Sequence, residues 1–183
     1  IDAIEVNISC PNVKEGGLAF GQDTQSAAKV LNLVRKRYNG PMIVKLSPNV
    51  TNIADFAIIA EQEGADAVSL INTFKGMIID IDKMEPVLAN ITGGLSGPAI
   101  NPIALRMVCD CSSQLNVPII GMGGIMNAED AIEFILAGAS LVSIGTANLV
   151  DPEASLKVKN GIEDYLLRKG CSSIKEITGK IKL

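Results

Sequence analysis

Apolar and polar positions alternate with two different periods along this chain. Five short segments are continuous apolar runs or strict alternations of apolar with polar residues, and both patterns are typical of β-strands. These predicted strands cover residues 4–9, 42–46, 67–71, 118–121 and 141–144. Between and after them, apolar residues recur at helical spacing. The predicted helices cover residues 24–37, 53–63, 102–115, 128–137 and 152–169, with Asn127 and Asp151 as N-caps of the last two.

Part of this alternation occurs twice. The sequence Gly-Ala-x-x-Val-Ser, followed by Leu or Ile, occupies residues 64–70 and again residues 138–144, each time after an apolar strand and a helix. Strands that alternate with helices predict a parallel α/β fold, and tandem copies favour a (β/α)8 TIM barrel over a doubly wound sheet. A complete barrel takes about 250 residues. We therefore expect residues 1–183 to be the C-terminal part of a single barrel domain, supplying about the last five strand–helix units, with the N-terminal strands missing.

Composition narrows the range of functions. The chain is 48% hydrophobic and 20% charged, its net charge is −4, and it contains no histidine. These values predict a globular protein and argue against nucleic acid as the main partner, and the absence of histidine excludes His-based catalysis on this chain. No apolar run approaches the length of a membrane span. The four cysteines show no framework spacing, which favours the reducing cytoplasm.

The sequence Asn-Ile-Ser-Cys-Pro-Asn at residues 7–12 is the first candidate site. Pro11 cannot continue a central strand, so Cys10 is expected at the carboxyl end of the first strand, where barrel enzymes hold their catalytic groups. A thiol there can act as a base or a nucleophile, and the flanking amides of Asn7 and Asn12 can hold a planar polar ligand. The alternative is a buried structural cysteine beside turn-forming asparagines.

Polar side chains also end the second and third predicted strands. Lys45 interrupts an apolar run, and because a barrel interior seldom accommodates an unpaired ammonium, it should face an anionic group. That group is either a carboxylate of the protein or the electron-rich edge of a reduced flavin. Asn72 and Thr73 follow Ile71, where they could bind a substrate or cap a loop.

Glycines end the last two predicted strands. Residues 121–124 read Gly-Met-Gly-Gly, and Gly145-Thr146 follows the next strand. Glycine lets a backbone N–H approach an anion closely, and the loops after the last two barrel strands often bind phosphate. Tight turns without a ligand are the alternative. The loop 93–98, Gly-Gly-Leu-Ser-Gly-Pro, could add a further backbone contact. The connection 75–90 is expected to be a polar surface excursion or a partner-facing loop.

Taken together, these motifs closely resemble the dihydroorotate dehydrogenase family along all 183 residues. The resemblance rests on six motifs: residues 7–12, Val44-Lys45-Leu46, Asn72-Thr73, residues 93–97, residues 121–125 and Ile144-Gly145-Thr146. The first motif is quite specific, whereas the glycine motifs recur in other phosphate-binding barrels. The resemblance implies an oxidoreductase that oxidises (S)-dihydroorotate to orotate through FMN in pyrimidine biosynthesis.

The resemblance also implies residue roles. Cys10 would be the general base that removes a proton from C5 of dihydroorotate, while hydride passes from C6 to N5 of FMN. The pyrimidine would be held by Asn7, Asn12, Asn72 and Thr73. The flavin would contact Asn7, Lys45, Ile71 and Gly97, with Lys45 at its N1/O2 edge. The FMN phosphate would be bound by Gly123, Gly124, Gly145 and Thr146.

Subclass features imply partners. Cysteine rather than serine at position 10 resembles the soluble class 1 branch, and residues 72–90 resemble the NAD-linked 1B subclass. That subclass implies a homodimer that assembles into a heterotetramer with an electron-transfer subunit carrying FAD and a [2Fe–2S] cluster. This chain has no cysteine set for a cluster, so both cofactors are expected on the partner. The alternatives are another FMN barrel resembling dihydropyrimidine dehydrogenase, a flavin-free phosphate-binding barrel, and a non-catalytic subunit or fragment.

Overall fold

A five-stranded parallel sheet forms the centre of the computed structural model, which describes residues 1–9, 21 and 23–182. Its strands, in their order across the sheet, are β1 (Ile4–Asn7), β2 (Met42–Lys45), β3 (Ala67–Leu70), β8 (Ile119–Met122) and β9 (Leu141–Ser143). The predicted parallel α/β fold is confirmed, since every neighbouring pair in this sheet runs parallel.

The two faces of the sheet differ in burial because side chains alternate across each strand. On β2, Met42 and Val44 are fully buried, whereas Ile43 and Lys45 are only half-buried. The register pairs Asn7 with Lys45 and Lys45 with Ser69, so these three side chains share the face opposite the helices. This second face is the one on which the candidate residues lie.

Helices cover the buried face in sequence order. They are α1 (Thr24–Arg35), α2 (Ile53–Gln62), α3 (Asn101–Ser112), α4 (Ala128–Leu136), α5 (Thr146–Val150) and α6 (Ala154–Lys169). Asn127 caps α4 through a capping box with Asp130, as its sequence position predicts. Among the described residues, no helix combines the length and the apolar character that a bilayer span requires.

Two predictions near the carboxyl terminus are wrong in detail. The predicted helix 152–169 begins only at Ala154, and Asp151 does not cap it. Asp151 instead ends the short helix α5, which the sequence pattern did not predict, and its carboxylate accepts a hydrogen bond from the Glu153 backbone N–H at 3.0 Å. The first strand is also shorter than predicted and ends at Asn7, because the Asn7 side chain accepts the Ser9 backbone N–H at 3.1 Å.

The long connection after β3 is an arm of two small antiparallel sheets. β4 (Phe74–Gly76) pairs with β7 (Gly93–Leu95), and β5 (Ile79–Asp80) pairs with β6 (Glu85–Pro86). The arm is exposed, as expected of a surface excursion or partner-facing loop, but it is less polar than expected, because nine of its large apolar side chains are exposed. They are Met77, Ile78, Ile79, Ile81, Met84, Val87, Leu88, Ile91 and Leu95. Such a concentration of exposed apolar surface is typical of an interface.

Candidate functional site

The carboxyl ends of the parallel strands surround one cavity of about 180 Å³. Nine of the predicted site residues line it: Lys45, Ile71, Asn72, Thr73, Gly97, Gly123, Gly124, Gly145 and Thr146. They come from segments more than 100 residues apart in sequence. The fold brings them together because the carboxyl ends of parallel strands lie at one edge of the sheet.

Three predicted site residues lie elsewhere. Asn7 does not line the cavity, but it lies within hydrogen-bond distance of Asn72, which does. Cys10 and Asn12 lie outside the residues that the structure describes, so their predicted roles as base and pyrimidine ligand stay predictions.

Asn7, Ser9 and Asn72 form one hydrogen-bonded amide cluster at the ends of β1 and β3. Asn72 Nδ2 donates to Ser9 Oγ at 2.7 Å, and Ser9 Oγ donates to Asn7 Oδ1 at 3.0 Å. The Thr73 backbone N–H donates to Asn72 Oδ1 at 2.8 Å. These bonds hold both amides in fixed orientations at the mouth of the cavity.

Lys45 supplies a cation to the cavity wall. Its side chain is half-buried, and no carboxylate among the described residues lies within 4.0 Å of its ammonium. On the same face of the sheet, the fully buried Ser69 donates a hydrogen bond of 2.6 Å to the Glu5 carboxylate. That carboxylate therefore has a partner other than Lys45, and the ammonium is directed at the cavity without a protein counter-ion in the described part of the chain.

Glycines form the opposite wall, where the backbone must come close to another segment. Gly124 has φ +76°, and a Cβ at this position would lie 2.7 Å from the Gly97 carbonyl oxygen. At Gly145, in contrast, a Cβ would meet no atom of the described residues within 4 Å. Gly145 also lines the cavity, so its backbone is accessible to a ligand there.

Hydroxyl groups connect the loops on this side. Thr146 Oγ1 donates to Ser96 Oγ at 3.0 Å, which joins the β9 loop to the loop after β7. Asn49 Nδ2 donates to the Thr73 carbonyl at 3.0 Å, and the Lys75 backbone N–H donates to Asn49 Oδ1 at 3.0 Å. The cavity wall is therefore tied both to the β2 loop and to the base of the arm.

Sequence reasoning missed three polar residues of this region. Ser9 and Ser96 lie inside the motifs at 7–12 and 93–98, so their place in these motifs could have identified them as site residues. Ser69 gave no signal, because a serine in an apolar strand does not reveal that its partner is Glu5, 64 residues away. Only the register of β1, β2 and β3 brings those two side chains together.

A larger cavity of about 470 Å³ lies between the start of α4 and the helices α5 and α6. It is lined mostly by apolar and helix-capping residues and lies away from the polar cluster at the strand ends. Volume alone would favour it, but the convergence of amides, a cation and open backbone favours the smaller one as the functional site.

Of the two thiols in α3, that of Cys111 is buried and stays protonated at neutral pH. Burial raises the pKa of the Cys111 thiol to about 12, whereas Cys109, two residues earlier, is half-buried. A protonated thiol is a poor nucleophile and a poor metal ligand. No group of three or more His, Cys, Asp or Glu side chains suited to a metal ion occurs within the described ranges.

Comparison with known proteins gives one consistent family. The sequence model of the dihydroorotate dehydrogenase family matches residues 1–166. A Bacteroides thetaiotaomicron protein named dihydroorotate dehydrogenase B (NAD(+)), catalytic subunit, is 56% identical over 183 residues, which is all of this chain and 60% of that protein. The protein of the same name from Geotalea daltonii is 57% identical over the same share of each. The chain thus spans about 60% of the length of these relatives.

Structural comparison agrees. A crystal structure of DHODH from Eimeria tenella in complex with ferulenol superposes with a TM-score of 0.81 at 25% sequence identity. The match covers 98% of this chain and 54% of that one. The predicted barrel fold and family are both confirmed, and the chain belongs to the dihydroorotate dehydrogenase family.

Proposed function

We propose that this chain takes part in the flavin-dependent oxidation of dihydroorotate to orotate in pyrimidine biosynthesis. The observation that carries the proposal is one cavity at the strand ends that combines the Lys45 ammonium, the amide of Asn72 and an open glycine edge at Gly145. The names of the relatives, which are catalytic subunits of dihydroorotate dehydrogenase B, support the substrate.

FMN is the flavin we propose. The residues fit it, since the open space at Gly145 and the Thr146 hydroxyl provide an edge where a phosphate can contact backbone N–H groups. Lys45 lies across the same cavity, where its ammonium can stabilise negative charge on a flavin ring. When bound, FMN supplies the hydride acceptor that the protein itself lacks.

The protein residues would bind the substrate and move one proton. Asn7, Asn12, Asn72 and Thr73 would hold the pyrimidine, Ile71 and Gly97 would line the flavin, and Gly123 and Gly124 would contribute to phosphate binding. Cys10 would accept the proton from C5 of dihydroorotate. A thiol that acts as a base near neutral pH needs a lowered pKa or proton transfer coupled to substrate binding.

Anaerobic titration of the purified protein with dihydroorotate tests this function. We expect a flavin absorbance spectrum that bleaches on addition of dihydroorotate. A bound flavin that dihydroorotate cannot bleach would indicate another substrate, as in a dihydropyrimidine dehydrogenase-like enzyme. Absence of flavin would indicate a flavin-free barrel or an inactive fragment. Either result would overturn the proposal.

The electrons would leave through a second subunit. The names of the relatives contain both NAD(+) and catalytic subunit, which supports a partner that carries electrons to NAD. We propose that this partner carries FAD and a [2Fe–2S] cluster and that the assembly is a cytoplasmic heterotetramer. Reduction of NAD by dihydroorotate only when both subunits are present would support this, and NAD reduction by this chain alone would contradict it.

The exposed arm supports a homodimer within that assembly. Ile81 and Met84 at its tip are 83% and 86% exposed, and burial against a second copy would remove this apolar surface from water. Replacing both by lysine should convert the dimer to a monomer in sedimentation analysis, with the flavin still bound. A dimer that persists in the double variant would contradict the arm as its interface.

We also propose that the five strand–helix units are part of one eight-stranded FMN-binding barrel. Among the described residues, β1 and β9 have no strand partner on their outer sides, and closure into a barrel would pair their backbone groups. The intact mass of the native protein tests this. A mass well above 19.2 kDa is expected, and a native product of 19.2 kDa would contradict it.

A further inference from the structure

We propose that Ser9 is a positioning residue whose hydroxyl links the side-chain amides of Asn7 and Asn72 and holds in place the atoms that they present to a ligand. Ser9 is only 2% exposed, and its hydroxyl lies between the carboxyl ends of β1, β2 and β3, within 3.5 Å of the Lys45 carbonyl oxygen. The proposal rests on the proposed function for its ligand, a pyrimidine, but its argument comes from the hydrogen bonds of the amide cluster.

Backbone donors fix the orientation of both amides. The Ser9 N–H lies 3.1 Å from Asn7 Oδ1, and the Thr73 N–H lies 2.8 Å from Asn72 Oδ1. A backbone N–H can only donate, so the atom that it faces must be the amide oxygen and not the amide nitrogen. The Nδ2 groups of Asn7 and Asn72 therefore point away from these backbone atoms.

The Ser9 hydroxyl completes a chain of hydrogen bonds in which Asn72 donates to Ser9 and Ser9 donates to Asn7. Asn72 Nδ2 can only donate, so Ser9 Oγ accepts from it at 2.7 Å, and the one hydroxyl proton is then available for Asn7 Oδ1 at 3.0 Å. Asn72 Nδ2 also lies 3.4 Å from Ser9 O and 3.4 Å from Asn7 Oδ1. Both N–H groups of Asn72 thus face acceptors inside the cluster.

The two asparagines consequently offer different atoms to a ligand. Asn7 is exposed, and its Nδ2 makes no hydrogen bond to the residues that the structure describes, so it presents N–H donors. Asn72 has given its N–H groups to the cluster and retains one lone pair on Oδ1, which is an acceptor. The pair therefore selects a ligand with a carbonyl or carboxylate oxygen opposite Asn7 and a ring N–H opposite Asn72, a pattern that a cyclic amide provides.

Ser9→Ala removes the hydroxyl that links the two amides. Asn72 Nδ2 loses its shortest hydrogen bond, and Asn7 Oδ1 loses one of its donors. The backbone N–H groups of residue 9 and Thr73 still face the two amide oxygens, but each amide is held by fewer bonds and is displaced more easily from its ligand-binding position. We expect the dissociation constant for orotate to rise about tenfold or more, the factor that corresponds to one misplaced hydrogen bond. Ser9→Thr keeps the hydroxyl and should restore binding.

Orotate binding to the flavin-loaded protein tests the proposal, with the flavin absorbance as the signal. Ser112→Ala is the matched control, because the Ser112 hydroxyl is also partly buried and donates to the Ala137 carbonyl at 2.8 Å, but at the opposite end of the sheet. Ser9→Ala should weaken orotate binding at least tenfold, Ser112→Ala should not, and flavin content should be unchanged in both. Wild-type affinity in Ser9→Ala, an equal loss in Ser112→Ala, or no recovery in Ser9→Thr would overturn the proposal.

A second measurement does not depend on the substrate. With asparagine labelled in its side-chain ¹⁵N, Ser9→Ala should shift the side-chain amide resonances of Asn7 and Asn72, whereas Ser112→Ala should leave them in place. If the wild-type protein does not bind orotate, the proposed function fails, and this measurement alone judges Ser9. Resonances that are unchanged in Ser9→Ala would overturn its positioning role.

Discussion

The two ends of the central sheet use their polar side chains in opposite ways. At the amino end, the Arg35 guanidinium donates to the backbone carbonyls of Tyr38, Gly40 and Gly64 and also pairs with Asp66. At the carboxyl end, Lys45 has no ion pair within the described residues, and Asn7 keeps its amide nitrogen free of them. At the amino end these charged side chains find their partners within the protein, although the buried Tyr38 hydroxyl has none among the described residues, whereas the carboxyl end leaves donors for a ligand.

Two carboxylates at the amino end are likewise bound to groups of the protein. Glu61 Oε1 accepts the backbone N–H groups of Asn116 and Val117 at 2.8 and 3.0 Å, and Asp66 Oδ2 accepts that of Met42 at 2.8 Å. These carboxylates close the loops that lead into β8 and β2. A backbone donor without a partner costs free energy, so these carboxylates stabilise the loops that they close. Stability and function should therefore be separable by mutation.

The largest effect is expected from Arg35→Ala at the amino end. This substitution leaves three backbone carbonyls and Asp66 without their shared donor, and we expect the free energy of unfolding to fall by about 3 kcal/mol. Urea denaturation measures it. Arg37→Ala is the control, since the exposed Arg37 side chain makes a single hydrogen bond of 3.3 Å to the Leu33 carbonyl. Equal stability of the two variants would contradict the comparison.

A matched pair of glycine substitutions should separate the stabilising role of the amino end from the binding role of the carboxyl end. Gly64 at the amino end has φ +88°, and a Cβ there would lie 2.9 Å from Arg35 Cδ, so Gly64→Ala should lower the free energy of unfolding by about 2 kcal/mol. Gly145→Ala should change it by less than about 0.5 kcal/mol but weaken flavin binding about tenfold, because its Cβ enters the ligand space. Flavin fluorescence and urea denaturation measure the two effects. A loss of stability in Gly145→Ala, or weaker flavin binding with unchanged stability in Gly64→Ala, would contradict the account.

The smallest effect concerns Cys111, which lies at the end of α3 near the amino side of the sheet. Burial raises the pKa of its thiol from 9.0 to about 12. Below pH 9 the Cys111 thiol is protonated in both the folded and the unfolded protein, and its contribution to the free energy of unfolding is fully present. As the pH rises above 9, the thiol of the unfolded protein loses its proton first, so the free energy of unfolding falls. We expect a loss of about 1 kcal/mol between pH 8 and pH 10.

Urea denaturation of wild type and Cys111→Ala at the two pH values checks this loss. The alanine variant should lose the part of the pH dependence that comes from Cys111, whereas Cys109→Ser should retain it. In the native protein at pH 8, iodoacetamide should also leave Cys111 unmodified. Rapid alkylation of Cys111 under native conditions would show that the thiol is not protected as the structure indicates.

Sequence patterns predicted the parts of the molecule that depend on local chemistry. The five parallel strands, the Asn127 cap and the clustering of Lys45 with the glycines of the last two strand ends all follow from periodicity and strand order. What failed depends on contacts across the chain. Asp151 looks like a helix cap, but its carboxylate binds Lys157 Nζ at 2.7 Å and lies before the helix begins.

The arm and the amide cluster could not be predicted from the sequence for the same reason, since both depend on contacts between distant or very short segments. Short strands such as Ile79–Asp80 and Glu85–Pro86 are too brief to have a periodicity, and their pairing is decided by the loop between them. Ser9 was visible as part of a motif, but its hydrogen bond to Asn72 crosses 63 residues of sequence. Only the parallel register of the sheet brings the ends of β1 and β3 close enough for that contact.

The most direct test compares Lys45→Ala with Arg35→Ala in two assays, the flavin dissociation constant and the free energy of unfolding. The account predicts that Lys45→Ala weakens flavin binding about tenfold or more with unfolding nearly unchanged. It predicts the reverse for Arg35→Ala, a loss of about 3 kcal/mol in stability with flavin affinity retained in the folded protein. If Lys45→Ala binds flavin as the wild type does, the carboxyl end of the sheet is not the flavin site and the central claim is wrong.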